Sequence, residues 1–281
     1  MKISTNYQPQ SRDTHPEIDK FLMQSFRQMP ICKKAYLINE ATKGIWQCSL
    51  IGVRNQYPNL TTEQIQFQLA MRWLGEEVAE KILIHDREQL VEANTIKLAL
   101  KMVDIFDSLK IPYLIGGSVA SSILGEPRAT LDVDMVADLQ LSQVQPLITI
   151  MTGDFYIDEI MVKEAIANKS SFNVIHLESM QKVDVFVLSD RPLAQAEMQR
   201  RQQLLITENP QKFVWLPSSE DIVLQKLTYC SGNETLDTQW RDVLGVLKVQ
   251  VNIDLDYLFQ WAETLNLTEL MTKALQHAGI N

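Results

Sequence analysis

Twenty-five residues, Tyr113 to Ala137 (YLIGGSVASSILGEPRATLDVDMVA), constrain this chain more than any other stretch. Tyr113-Leu114-Ile115 is a short apolar run that predicts a strand. It ends in Gly116-Gly117-Ser118, where two residues without Cβ let the backbone turn sharply and come close to a ligand. Val119 to Leu124 predict a short helix stopped by Gly125, and Glu126-Pro127-Arg128 a turn. A second strand is expected over Leu131 to Ala137. Side chains alternate along a strand, so Asp132 and Asp134 share one face while Val133 and Met135 take the other.

Two neighbouring carboxylates repel unless they are solvated or neutralised by a cation, and hard oxygen ligands of this kind suit Mg²⁺. A glycine turn entering a helix offers free N–H groups and a positive dipole end, which suits phosphate. A phosphate seat beside a metal-binding acid pair implies phosphoryl or nucleotidyl transfer. A third acid stands out at Asp184, in the apolar run Val183-Asp184-Val185-Phe186-Val187. An unpaired carboxylate there is costly, so it must be solvated, paired or metal-bound. If its strand lies beside Leu131–Ala137, the three acids form one cluster; the alternative is a strand-end acid facing water.

At 281 residues the chain suffices for one large domain or two ordinary ones, and 46% apolar with 22% charged residues gives ample core. No 18-residue apolar run predicts a membrane span, and residues 1–30 lack a secretory h-region. Cys32, Cys48 and Cys230 are far apart, so neither a disulfide framework nor a zinc site is expected, and a cytoplasmic location fits. Net charge is −9, which argues against a surface that grips nucleic acid throughout. The charge is uneven: +2 over residues 1–85 and −11 over 86–281. An acidic catalytic part would need metal to receive a triphosphate.

Along the chain, Thr14-His15-Pro16-Glu17 predicts a capping box with Thr14 as N-cap. Helices are expected to Pro30, from about 33 to 54, and from Thr61 to Leu74. Residues 1–85 thus read as a helical accessory or interaction domain. An amphipathic helix is expected over about 87–110. Residues 86–215 alternate α and β segments, including strand-like runs at Phe172–Leu177 and Lys182–Leu188. Residues 216–281 are helical, opening at Ser218 as N-cap and carrying Lys226 and, later, Arg241-Asp242. Lys226 on a mostly apolar helix either reaches a ligand or snorkels to water. The fold class expected is α/β (α+β), a mixed sheet with flanking helices plus helical regions at both ends.

The order strand, Gly-Gly-Ser, short helix, Gly-x-x-Arg-x-Thr, Asp-x-Asp and a later strand Asp resembles the nucleotidyltransferase superfamily with the polymerase-β-like core. Lys226 and Arg241-Asp242 resemble the fourth motif of the AbiEii branch, toxins of type IV toxin–antitoxin systems. The similarity spans about residues 95–250. Thirteen residues separate Ser118 from Asp132, at the long end of the family's spacing. The resemblance implies that Gly116, Gly117 and Ser118 hold the β- and γ-phosphates of an NTP. It implies that Asp132, Asp134 and Asp184 bind two Mg²⁺ ions, and that Arg128 and Lys226 neutralise the triphosphate. Asp242 would support the site or act on the acceptor. A nucleoside monophosphate would pass to a hydroxyl on RNA (tRNA included), a protein or a small molecule, and a cognate antitoxin is an expected partner. For Arg128 a salt bridge to Asp132 or Asp134 is the competing role.

Other chemistries fit poorly. There is no G-x-x-x-x-G-K-[ST] and no G-x-G-x-x-G after a strand, and Ser118 lacks a hydrolase elbow. His15, His85, His176 and His277 are dispersed. The alternative to an enzyme is a catalytically silent core kept for binding a protein partner.

Overall fold

A computed structural model describes residues 6–82, 91–231 and 237–280. The helices are α1 (Pro16–Gln28), α2 (Ile31–Gln56), α3 (Thr62–Leu74), α4 (Glu76–Ile82), α5 (Thr95–Ser108), α6 (Gly117–Leu124), α7 (Val144–Met151), α8 (Glu159–Asn168), α9 (Pro192–Arg200), α10 (Ser219–Ser231), α11 (Asp237–Val249), α12 (Leu255–Thr264) and α13 (Thr268–Ala278). Strands β1 (Tyr113–Ile115), β2 (Val133–Ala137), β5 (Gln181–Val187), β4 (Ser171–His176) and β3 (Phe155–Tyr156) form a mixed sheet in that order. A hairpin, β6 (Gln202–Glu208) with β7 (Gln211–Leu216), makes a second sheet. The chain is therefore mixed α/β with flanking helices. Among the described residues no helix is long and apolar enough to cross a membrane, and Cys32, Cys48 and Cys230 are all free thiols.

Contacts group the chain into two compact units. One comprises residues 1–35, 114–127 and 190–281; the other comprises 36–113 and 128–189. The units interleave along the sequence, and β1 and α2 each run from one into the other.

The second unit holds β2 to β5. Here β2 and β5 run parallel, while β4 is antiparallel to β5 and to β3. Val133, Met135, Val183 and Val185 are fully buried, which fixes one face of the sheet as core. Helix α5 packs on β2, and α8 packs on β4 and β5. Helices α3 and α4 bring Ala70, Ala79 and Ile82 against Ile175, Leu177 and Met180. Ile175 pairs with Lys182, so this apolar cover lies on the Lys182 face, at its β4 side. Between α2 and α3, Trp46, Val53, Ile65 and Leu69 form a further cluster that also takes in Leu131.

The caps follow local chemistry, with two departures. Thr61 and Gln64 form the reciprocal box expected before α3. Before α1 the cap is His15, whose Nδ1 accepts from the Glu17 N–H at 3.2 Å, in place of Thr14. Pro16 takes the first helical position and holds the residue before it extended, so the boundary moves one residue later. The expected strand start at Leu131 also moves, to Val133. Thr130 is tied sideways instead: its N–H donates to the Thr42 hydroxyl, and its carbonyl accepts from the Thr42 and Thr95 hydroxyls. Asn94 caps α5 by accepting from the Lys97 N–H at 2.8 Å. The part of the expected helix over residues 87–90 lies outside the described residues.

In the first unit, α6, α10, α11 and α13 pack together, and α1 lies against α11. The Asp19 carboxylate accepts from Lys248 Nζ at 2.9 Å, with both side chains 2% exposed. Arg27 donates to the carbonyls of Lys248 and Val249, closing the end of α11. Helix α6 and helix α11 cross closely: a Cβ on Gly125 would lie 2.8 Å from the Gly245 carbonyl carbon and the Val246 nitrogen. This approach leaves no room for a side chain at Gly125, the C-cap of α6, whose φ is −118°.

Candidate functional site

In the second unit, β2 and β5 set Val133 beside Val183, Asp134 beside Asp184, and Met135 beside Val185. Partnered residues of a parallel pair point to the same face. With the valines and Met135 buried, Asp134 and Asp184 stand side by side on the opposite face. Asp132, two residues before Asp134, falls on that face by the alternation of side chains. Lys182 stands there as well, two residues before Asp184. From β4, Asn173 pairs with Asp184 and adds an exposed amide to the same face. Phe186 continues the face and is 37% exposed.

Lys182 Nζ lies 2.8 Å from Asp184 Oδ2, with side-chain exposures of 28% and 18%. Burial works against the Lys182 ammonium, but the hydrogen bond to Asp184 and the charges of Asp132, Asp184 and Asp134 outweigh it and hold its pKa above the ordinary value. The acid of Asp132, an exposed residue, is pushed up, first by partial desolvation of the carboxyl and then by Asp184, against the attraction of Lys182. All three acids therefore act on one ammonium. Arg128 Nη1 donates to the Ala129 carbonyl at 3.2 Å.

The donors are hard oxygens on one strand face, which is the chemistry a Mg²⁺ ion needs. Among the described residues, however, no three His, Cys, Asp or Glu side chains already converge where a cation would fit. The Lys182 ammonium on Asp184 is one neutralising charge on this face.

In the first unit, Gly116 is the N-cap of α6, and Gly117, at φ +54°, takes the left-handed conformation that glycine adopts without strain. Ala120 N–H donates to the Gly116 carbonyl at 3.1 Å, so helical pairing begins at once. Ser118 lies in the first turn of α6. Lys226, on α10, and Asp242, on α11, meet at 2.9 Å, each side chain 4% exposed. Ser121 of α6 donates to the same Asp242 oxygen at 3.0 Å. Lys226 is thus neither snorkelling nor open: it is a buried cation matched by a buried acid. Arg241 pairs with Glu126 at 2.9 Å. The amide oxygen of Gln225 is buried without a hydrogen-bond partner, 4.0 Å from where a Gly116 Cβ would lie.

Two residues on the acidic face were not singled out in the sequence. Lys182 is legible there, because Lys-Val-Asp on a strand puts the ammonium and the acid on one side. Asn173 is not, since its place depends on the pairing of β4 with β5. His176 is half-buried, with Nδ1 3.0 Å from the Ser179 hydroxyl and Nε2 3.3 Å from Lys101 Nζ. A cavity of ≈ 300 Å³ lies beside it, lined by Lys97, Lys101, His176 and Gln181 among others, and holds none of the three acids.

Fold and site together define an α/β protein whose parallel strand pair carries a carboxylate-rich face. No protein-family model matches the chain, and no curated protein matches it. Among solved structures it is similar to an antigenic nucleotidyltransferase-like protein from Paracoccidioides brasiliensis, at 22% identity and a TM-score of 0.44. That match covers 65% of this chain and 90% of the other.

Proposed function

We propose that this chain is a divalent-metal-dependent nucleotidyltransferase that moves a nucleoside monophosphate from an NTP to a hydroxyl acceptor. The observation that carries the reading is the pairing of Asp134 with Asp184 on adjacent strands, with Asp132 on the same face. Those three acids would hold Mg²⁺, which supplies charge neutralisation at the attacking and leaving oxygens of an in-line displacement. Asp184, beside Lys182, is positioned by a charge-assisted hydrogen bond. Gly117 and Ser118 would meet the phosphates through first-turn N–H groups, and Arg128 would add positive charge. The AbiEii branch, a toxin role with a cognate antitoxin, and a cytoplasmic setting are finer parts of this proposal. They rest on Lys226 and Arg241-Asp242 and on the three free thiols.

Incubation with Mg²⁺, labelled NTP and a set of RNA, protein and small-molecule acceptors tests the reading. Transfer by wild type that is lost in Asp132→Asn and Asp184→Asn supports it. Transfer that survives both substitutions removes these acids from the mechanism.

One observation favours a second reading, a catalytically silent core that binds a protein partner. Lys226 and Asp242 satisfy each other in the interior, which withdraws two of the groups that would handle a triphosphate. Calorimetry with a non-hydrolysable NTP and Mg²⁺ separates the two, because the silent core binds neither.

A further inference from the structure

The β6–β7 hairpin of the first unit has one face packed and one face open. Val214 and Leu216 are buried, so their side of β7 belongs to the core. On the other side the register sets Leu205 beside Phe213 and Gln203 beside Trp215, and directly opposed residues of an antiparallel pair share a face. Phe213 is 46% exposed, Gln203 is exposed, and Leu205 and Trp215 are half-buried. Two aromatic side chains thus stand two residues apart on one strand, about 7 Å along it. The Arg201 guanidinium lies over the Trp215 ring, 4.8 Å from its centroid. Its neighbour Arg200 is matched by Glu220 and Asp221, whereas Arg201 donates to the neutral Met198 carbonyl. Glu208, the acid of the hairpin, stands at the far end, paired in register with Gln211.

From this geometry we infer that the open face of the hairpin is a stacking platform for single-stranded nucleic acid. Unstacked bases gain from aromatic rings and from guanidinium planes alike, and Phe213, Trp215 and Arg201 supply both. The same guanidinium can pair with a phosphate through its forked N–H donors. An apolar protein partner would take that cation out of water and give it no acceptor, whereas a phosphate satisfies it. A duplex does not fit, because its bases already stack on one another. The platform holds none of the three acids, and it binds a strand whether or not the chain transfers nucleotides.

Fluorescence anisotropy of a labelled RNA strand of about ten nucleotides, titrated with the full chain in the absence of NTP and metal, tests the platform against a duplex of the same sequence. Wild type should prefer the strand. With one phosphate paired, log K should fall with log salt at a shallow slope of about −0.7. Phe213→Ser should weaken binding about tenfold, Trp215→Phe should bind as wild type does, and Trp215→Leu should bind more weakly. Arg201→Gln should flatten the salt slope, and Arg201→Lys should keep it. Equal binding of strand and duplex, wild-type affinity in Phe213→Ser, or no binding by wild type overturns the platform. Self-association that disappears in Phe213→Ser, without strand binding, also overturns it and gives the face to a second copy of this chain. Circular dichroism confirms folding, and if Trp215→Leu fails to fold, the exposed Phe213→Ser and the salt slope of Arg201→Gln decide.

Discussion

Lys226 Nζ and Asp242 Oδ2 sit 2.9 Å apart in the interior of the first unit, and the Ser121 hydroxyl donates to the same oxygen. The triad joins α10, α11 and α6 through side chains that water scarcely reaches. A buried pair is tolerated because each charge satisfies the other, and removal of one partner strands the second. Lys226→Met should therefore destabilise the protein by about 3–5 kcal/mol. The double change Lys226→Met/Asp242→Leu should recover much of that loss. Urea denaturation of the three proteins checks both expectations, and a harmless Lys226→Met would show that the charge is not held where the geometry places it.

Glu197 gives a pH dependence of unusual sign. Burial, with a smaller contribution from Asp221, pushes its acid from the ordinary 4.5 up to about 8, and its Oε1 is buried without a hydrogen-bond partner. The charged groups of this cluster also include Arg200, which contacts Glu220 and Asp221. Between those two pH values the folded chain keeps a proton that the unfolded chain has released. Stability from this group is therefore complete at low pH and falls by about 1.4 kcal/mol per pH unit as pH rises through the window. Glu197→Gln should flatten that slope and raise the melting temperature at pH 8 relative to wild type. Thermal melts at a series of pH values from 5 to about 8 measure it.

Gly125 and Gly245 face each other where α6 meets α11, but they do not have equal freedom. A methyl on Gly125 meets fixed backbone at 2.8 Å from two sides, the Gly245–Val246 peptide and the Ser121 carbonyl oxygen. A methyl on Gly245 meets the end of the Gln10 side chain at 2.9 Å, which can move, and then the Glu126 nitrogen at 3.4 Å. Overpacking against backbone should cost Gly125→Ala about 1–3 kcal/mol, and Gly245→Ala clearly less. Paired melting curves decide the order; equal losses would contradict it.

Thr61 supplies a smaller, local effect. Its hydroxyl accepts from the Gln64 N–H at 3.3 Å, and Gln64 accepts from the Thr61 N–H at 2.9 Å. Thr61→Ala removes half of this box and should lower stability by about 1 kcal/mol. Helix α3 packs in the second unit, so hydrogen exchange at the first amides of α3 should accelerate first.

How far the sequence could be read depended on the range of the interaction. The box at Thr61, the serine cap at Ser218 and the alternation around Asp184 are local, and the structure shows each: Ser218 accepts from the Asp221 N–H at 3.1 Å. The start of β2 was set by Thr42 and Thr95, at positions far from Leu131 in sequence, and no pattern in the strand announced them. The β6–β7 hairpin has no legible signature, because Gln202 to Glu208 mixes polar and apolar residues without a clean period. For the candidate site, the alternation gave Asp132 and Asp134 a common face, and the register of β2 with β5 added Asp184. The mutual burial of Lys226 and Asp242 depends on the packing of two helices, and an apolar helix stripe does not reveal which cation it hides.

The parallel pairing of β2 with β5 makes the two sides of the sheet unequal under change. Val133, Met135, Val183 and Val185 lock the alignment from beneath, so an inserted or deleted residue in either strand would turn acids inward and valines outward. Length is thus rigidly held in these two strands while identity at 132, 134, 182 and 184 is not. Whatever chemistry this surface performs can be rewritten one side chain at a time without redrawing the scaffold under it.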